Sequence, residues 1–270
     1  MKEALVRGRA PSAPELTLAI IAALSVALGA PSALADVVSL SLNPTSVYGT
    51  DSSTGTVTLD TGRGLRTVTL ISSSAAASVP DSVTTDRISQ TVVHFTVTTY
   101  PVAVQTNVTI TAIEGGVFKQ AVITVFPPIL TSILFSPNPV RGLDNSVATI
   151  TINRPAAANW YCSIEGPYPP IYFQAGSIVS FTPGATSTTK TVNTVAVADA
   201  VTVQITARPP TGQSGGVASF LNVVPTRVES ITLTPSSVTG GDASLGCIAL
   251  NGPASVGGAS VQLLSSDPTV

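Results

Sequence analysis

Apolar side chains fall at every second position in short runs spread along this chain, each run bounded by glycine, proline or small polar residues. Thr56-Val57-Thr58-Leu59, Thr149-Ile150-Thr151-Ile152 and Cys247-Ile248-Ala249-Leu250 are three such runs. A period of two sends successive side chains to opposite faces, so these runs predict strands buried on one face only. Val57, Leu59, Ile150, Ile152, Ile248 and Leu250 are the inward positions. Val108-Thr109-Ile110-Thr111-Ala112 and Val203-Gln204-Ile205-Thr206-Ala207 carry the same alternation, and Phe95 with Val97 supply another inward pair. Gly115-Gly116-Val117 and Gly215-Gly216-Val217 then lead into the closing runs at 121–125 and 219–223. Glycine pairs between alternating runs provide the positive φ angles of a tight hairpin.

The runs are organised by a longer repeat. Leu42-Asn43-Pro44-Thr45-Ser46-Val47-Tyr48-Gly49 returns as Phe135-Ser136-Pro137-Asn138-Pro139-Val140-Arg141-Gly142, then as Leu233-Thr234-Pro235-Ser236-Ser237-Val238-Thr239-Gly240. The spacings, 93 and 98 residues between the shared prolines, match one sandwich domain and far exceed a solenoid unit. The expected organisation is a signal peptide over 1–35, β-sandwich domains over 36–127 and 128–225, and an incomplete third unit over 226–270. The shared proline removes a ladder donor at a sheet edge, which lets one strand begin in one sheet and continue in the other. Phe126-Pro127-Pro128-Ile129 and Val224-Pro225-Thr226-Arg227 are short, stiff joints, as expected of a semi-rigid array. In the third unit Val261-Gln262-Leu263-Leu264-Ser265-Ser266 matches Val68-Thr69-Leu70-Ile71-Ser72-Ser73, and later runs have no counterpart. The expectation is a fragment of a longer array, because half a sandwich leaves its apolar face open.

The first 35 residues change the picture of where the protein works. Lys2, Arg7 and Arg9 precede an apolar run of 15 residues, Leu16 to Ala30, and Ala33 and Ala35 form a small-x-small cleavage pattern. Fifteen residues fall short of the roughly 20 that span a bilayer, so the segment reads as a cleaved signal peptide with a mature chain starting at Asp36. No membrane span is expected in the mature chain, and a secreted or cell-surface location follows. Charged residues make up only 10% of the chain and its net charge is −2, which gives nucleic acid no basic stripe to bind. Cys162 and Cys247 fall in different repeats, so neither unit holds an internal disulfide and each depends on its core.

The phrases at 42–49, Ser53-Thr54-Gly55-Thr56-Val57-Thr58-Leu59, Phe95-Thr96-Val97-Thr98-Thr99, and Val108-Thr109-Ile110-Thr111-Ala112 before Gly115-Gly116-Val117 resemble bacterial immunoglobulin-like repeats of large secreted and surface proteins. The resemblance covers 37–270 and is weakest at 155–175. It implies an all-β array of tandem Greek-key sandwiches with a spacer, adhesive or scaffolding role. Such repeats share no catalytic residues, so none is carried over.

Candidate chemistry is sparse. His94 is the one histidine and should face solvent beside inward Phe95, which leaves a Ser-His-Asp triad unsupported. One histidine and two separated cysteines make no zinc set. The aligned Asp51, Asp144 and Asp242 raise calcium, but each stands nearly alone and reads better as a turn residue. Lys119 and Lys190 lie in ordinary solvated places, unlike the buried lysines of isopeptide crosslinks. The expectation is therefore a non-enzyme with no catalytic residue, cofactor or metal. The sharpest local anomaly is Trp160-Tyr161-Cys162 with Tyr168, Tyr172 and Phe173, which gathers the sole tryptophan and three of five tyrosines. Aromatic faces stack on sugars or anchor protein partners. Tyr168, Tyr172 and Trp160 are accordingly the candidate ligand-binding residues, for a carbohydrate or a cell-surface protein. Sandwiches of this kind also bury a tryptophan on this strand, so Trp160 or Cys162 is expected to point inward. A further alternative is that these units accompany a larger extracellular hydrolase.

Overall fold

The computed structural model describes residues 36–267 apart from 61–63, 88, 175, 255 and 256. The proposed signal peptide, residues 1–35, lies outside the described residues. All regular structure within them is β. The first repeat contributes β1 (Val37–Asn43), β2 (Ser46–Tyr48), β3 (Ser52–Leu59), β4 (Thr67–Ser72), β5 (Ala77–Ser78), β6 (Ser82–Thr84), β7 (Val92–Thr99), β8 (Thr106–Glu114) and β9 (Val117–Phe126). The second contributes β10 (Leu130–Ser136), β11 (Val140–Arg141), β12 (Asn145–Ile152), β13 (Tyr161–Glu165), β14 (Ile171–Tyr172), β15 (Ile178–Ser180), β16 (Ser187–Thr194), β17 (Val201–Arg208) and β18 (Val217–Val224). The third contributes β19 (Val228–Thr234) and β20 (Leu245–Leu250).

The first two repeats share one topology. One sheet of each runs β1-β3-β7-β5 or β10-β12-β16-β14, and the other runs β2-β9-β8-β4-β6 or β11-β18-β17-β13-β15. The repeated proline explains the change of sheet. β1 and β10 pair antiparallel with β3 and β12; after Pro44 or Pro137 the chain re-forms as β2 or β11, parallel to β9 or β18. A proline cannot donate to a ladder, so the break falls where the strand leaves its sheet.

Alternation decides burial as the sequence pattern requires. β3 buries Val57 and Leu59 and β12 buries Ile150 and Ile152, while the intervening threonines stay half exposed. In the second repeat Ile133, Ile150, Trp160, Cys162, Ile164, Ile205 and Leu221 close into one apolar cluster. The first repeat contains one feature that no alternation signals. Arg66 is buried, and its guanidinium forks onto Glu114 (Nε to Oε1 2.8 Å, Nη2 to Oε2 2.5 Å) and reaches Asp60 at 2.9 Å. The Glu114 hydrogen bonds raise the guanidinium pKa further against the opposing effect of burial. A paired and fully hydrogen-bonded charge is the form in which a buried cation is tolerated.

The chain divides into two compact units. Among the described residues, one comprises those up to Thr45 with Ser53–Val97 and Val108–Ile123; the other comprises Ser46–Ser52, Thr98–Asn107 and those from Thr124. Within the second unit the Arg154 guanidinium donates to both Asp51 carboxylate oxygens, at 3.0 and 3.1 Å, and Gln213 Nε2 donates to Ala103 O at 2.8 Å.

Among the described residues the third repeat reproduces only its first strand pair. β19 and β20 form a two-stranded sheet. Residues 261–265, aligned by sequence with β4, form no strand. β4 and its counterpart β13 each pair on both sides, with β8 and β6 or with β17 and β15. A strand's hydrogen bonds are made by its neighbours, and among the described residues 261–265 have no strand to pair with.

Candidate functional site

The aromatic segment of the second repeat is split by the pleat of β13. Trp160, Cys162 and Ile164 are fully buried, whereas Tyr161 and Glu165 point out. Trp160 packs edge-on against Phe181, with ring centroids 5.0 Å apart and planes at 75°. Its backbone carbonyl accepts from Phe181 N at 3.1 Å. The indole N–H is buried without a hydrogen-bond partner. Burial pushes the Cys162 thiol up to about 11, so it stays protonated and behaves as a small apolar side chain.

Tyr168 and Tyr172 are placed differently. The chain leaves β13 through Gly166-Pro167-Tyr168-Pro169-Pro170 and re-enters regular structure at β14, where Ile171 is buried. A β-carbon at Gly166 would lie 2.5 Å from Ile171 Cδ1, so glycine is what lets the segment fold back so closely. Tyr168 is 76% exposed and Tyr172 46% exposed. β14 holds Tyr172 against β16, where Asn193 Nδ2 reaches the Tyr172 carbonyl at 3.4 Å. Of the three candidate residues, two therefore offer rings to solvent. Trp160 is a correction: its ring fills the core and presents no surface to a ligand, because its position just before β13 keeps the inward alternation of Cys162 and Ile164.

The other candidates resolve into structural roles. His94 is exposed on β7, and its Nδ1 lies 3.0 Å from Thr56 Oγ1. Asp51 and Asp144 each close a turn with a backbone bond (Asp51 N to Tyr48 O, Asp144 N to Arg141 O, both 3.0 Å), and Asp242 does the same with Thr239 at 2.9 Å. The Asp51 carboxylate is engaged by Arg154 and that of Asp144 by Arg141. Among the described residues no group of three or more His, Cys, Asp or Glu side chains is arranged to hold a metal ion.

Sequence reasoning missed two features. One is a cavity of about 470 Å³ in the second unit, lined in part by Tyr48, Gln105, Phe126, Ile129 and Gln213, with Gln213 Oε1 buried and unpaired. Its lining comes from separate turns, which no local pattern links. The other is the close approach of the Phe95 ring to Gly55, at a position aligned with Ala148 and Gly246. Aligning the repeats exposes those three residues, but only coordinates reveal what sits over them.

The strand orders match the immunoglobulin arrangement, in which one sheet is A-B-E-D and the other contains G-F-C. Both complete repeats are immunoglobulin-like sandwiches. No protein-family model matches the chain, and no curated protein matches it in sequence. Solved structures do. The D0-D1 domain of intimin aligns with 70% of this chain and 98% of its own length, at 13% identity and a TM-score of 0.29. FdeC, an Escherichia coli adhesin, aligns over 72% of this chain and 66% of its own, at 13% identity and a TM-score of 0.34. A run of titin domains covers 85% of this chain and 78% of its own, at 10% identity and a TM-score of 0.41. These likenesses concern fold alone; the strand orders and registers above are what carry it.

Proposed function

We propose that this protein is a non-enzymatic, exported structural or adhesive component of the cell surface, whose immunoglobulin-like units act as a semi-rigid spacer. The observation that carries the reading is the succession of two sandwiches of one topology along a single chain, with a third begun. Only Pro127, Pro128 and Ile129 separate β9 from β10, and only Pro225, Thr226 and Arg227 separate β18 from β19. Linkers this short and proline-bearing have little freedom, so units strung on them hold a distal module away from an anchor point. The apolar segment at 16–30 and the small-x-small pattern before Asp36 support export. Among the described residues no helix is long and apolar enough to cross a membrane.

The test is cellular. Antibody against the second sandwich should label intact producing cells, and the protein recovered from them should begin at Asp36. A product that retains residues 1–35 inside the cell overturns the reading. A second function, recognition of a carbohydrate or surface protein, is favoured by the exposure of Tyr168 and Tyr172 on one loop and its adjoining strand. Loss of glycan-array or cell binding in Tyr168→Ala and Tyr172→Ala variants supports it; unchanged binding removes it.

A further inference from the structure

We propose that residues 48 and 154, and their counterparts 141 and 252, form a reciprocal pair that decides which repeat can follow which along the chain. The proposal rests on the spacer reading and names the contacts that select each unit's successor. All the residues it uses belong to the second compact unit.

Two turns in that unit are built alike, at residues 48–51 and 141–144. In each the glycine amide donates to the closing strand of its own sandwich, Gly49 N to Phe126 O at 3.0 Å and Gly142 N to Val224 O at 2.9 Å. Both glycines press on backbone: a β-carbon on Gly49 would lie 2.6 Å from Tyr100 O, and one on Gly142 2.8 Å from Val195 O. Each turn ends on an aspartate, Asp51 or Asp144, whose carboxylate takes an arginine. Two corners are also built alike, Asn153-Arg154-Pro155 after β12 and Asn251-Gly252-Pro253 after β20. Asn153 and Asn251 make the same pair of bonds, to Ile129 and to Arg227.

What differs is the side from which the arginine comes. At the first turn residue 48 is tyrosine, and Arg154 of the corner holds the Asp51 carboxylate, Nε to Oδ1 at 3.0 Å and Nη2 to Oδ2 at 3.1 Å. The Asp51 hydrogen bonds, and more weakly the nearby Tyr48, raise the Arg154 pKa. At the second turn residue 141 is arginine and holds Asp144 itself, with Nε and Nη2 at 3.0 and 2.8 Å from Oδ2. The corner residue beside it is Gly252. A β-carbon there would sit 2.6 Å from Arg141 Nε and 2.7 Å from its Cζ and Nη1. Gly252 lacks the positive φ that would otherwise call for glycine, so what excludes a side chain is the guanidinium tied to Asp144.

Each aspartate therefore receives one guanidinium, and the position opposite its source gives way. A turn with tyrosine fits a following corner with arginine; a turn with arginine fits a corner with glycine. Arginine on both sides sets two like charges on one carboxylate, and arginine on neither leaves that carboxylate unpaired. The Arg154 and Asp51 side chains are each 39% exposed, so the pair adds little to stability and acts by discriminating between successors.

The test uses the intact chain and pulsed-dipolar distances between nitroxide labels. Cys162 is buried, so the labels go on Thr96→Cys and Thr189→Cys, both exposed positions, in a Cys247→Ser background. The expected distance distribution is narrow without further change and at least about twice as broad in Arg154→Gly and in Tyr48→Arg. Combining Tyr48→Arg with Arg154→Gly reproduces the second arrangement and should restore the narrow distribution. Labels on native Cys247 and on Thr189→Cys read that second arrangement in the same way: Gly252→Arg should broaden it, and adding Arg141→Tyr should restore it. Restoration by a second substitution separates a reciprocal pair from a general loss of folding. Single variants that leave the width unchanged, or double variants as broad as their parents, would overturn the proposal while the spacer reading stands. A broad distribution before any of these changes would overturn both.

Discussion

The strand pairs β10–β12 and β19–β20 are built from matching sequence and differ in nearly everything that packing controls. Both close with the same reciprocal bonds: Asn153 N to Ile129 O at 3.1 Å and Ile129 N to Asn153 Oδ1 at 2.9 Å, against Asn251 N to Arg227 O at 3.0 Å and Arg227 N to Asn251 Oδ1 at 2.8 Å. Both brace the proline carbonyl with a serine, Ser146 on Pro137 at 2.8 Å and Ser244 on Pro235 at 2.7 Å. Yet Leu130 is 4% exposed and Val228 is 48% exposed. Local hydrogen bonding is thus specified strand by strand, whereas burial is conferred by the facing sheet. The turn after the proline shows the same split. Thr194 of β16 donates to Asp144 O at 2.7 Å, as Thr99 of β7 does to Asp51 O, while the turn at Asp242 has no such strand among the described residues.

The comparison can be broken most decisively by hydrogen exchange. Amides of β12 should open only with global unfolding, those of β20 through local opening, so their protection should differ by several orders of magnitude. Similar protection would mean that β20 is covered in solution. Next in size is the paired truncation Ile150→Ala and Ile248→Ala, read by denaturant melts. The first should cost about 2–5 kcal/mol by leaving a cavity, the second about 1 kcal/mol or less because Ile248 is only half-buried. Ser146→Ala against Ser244→Ala should separate by roughly 1 kcal/mol, since Ser146 is buried and Ser244 can bond water instead.

The smallest effect concerns the thiols. Cys247 is exposed on β20 and should react with a thiol reagent in the native protein, whereas Cys162 should react only after unfolding. The same difference sets a pH dependence. The Cys162 pKa rises from 9.0 to about 11 on folding, so its contribution to stability is intact below pH 9. Between pH 9 and 11 the unfolded state loses its thiol proton first, and stability falls with rising pH. Alkaline melts of Cys162→Ala should lose that part of the slope, while Cys247→Ala should leave it in place.

How far the site could be read beforehand varied with the kind of interaction. Tyr168 was legible as an exposed ring because Gly166, Pro167, Pro169 and Pro170 around it forbid a continuous strand. Trp160 was ambiguous, since one position in a strand faces either way until the opposite sheet is placed. Arg66 went unnoticed because its partners Glu114 and Asp60 lie 48 and 6 residues away and no period connects them. The Asp51 carboxylate read as a lone turn residue for the same reason, its guanidinium being 103 residues distant.

Sequence by itself determined the alternating strands β3, β8, β12 and β17, their inward faces, the proline switch between sheets and the repeated order of those features. All of these follow from side-chain alternation and from backbone groups within a few residues of one another. Tertiary structure alone decided which inward faces become core, which aromatic rings reach solvent, which charges are buried in pairs, and why Gly55 lies beneath the Phe95 ring. Those outcomes depend on side chains brought together across two sheets, and such contacts leave no local period in the chain.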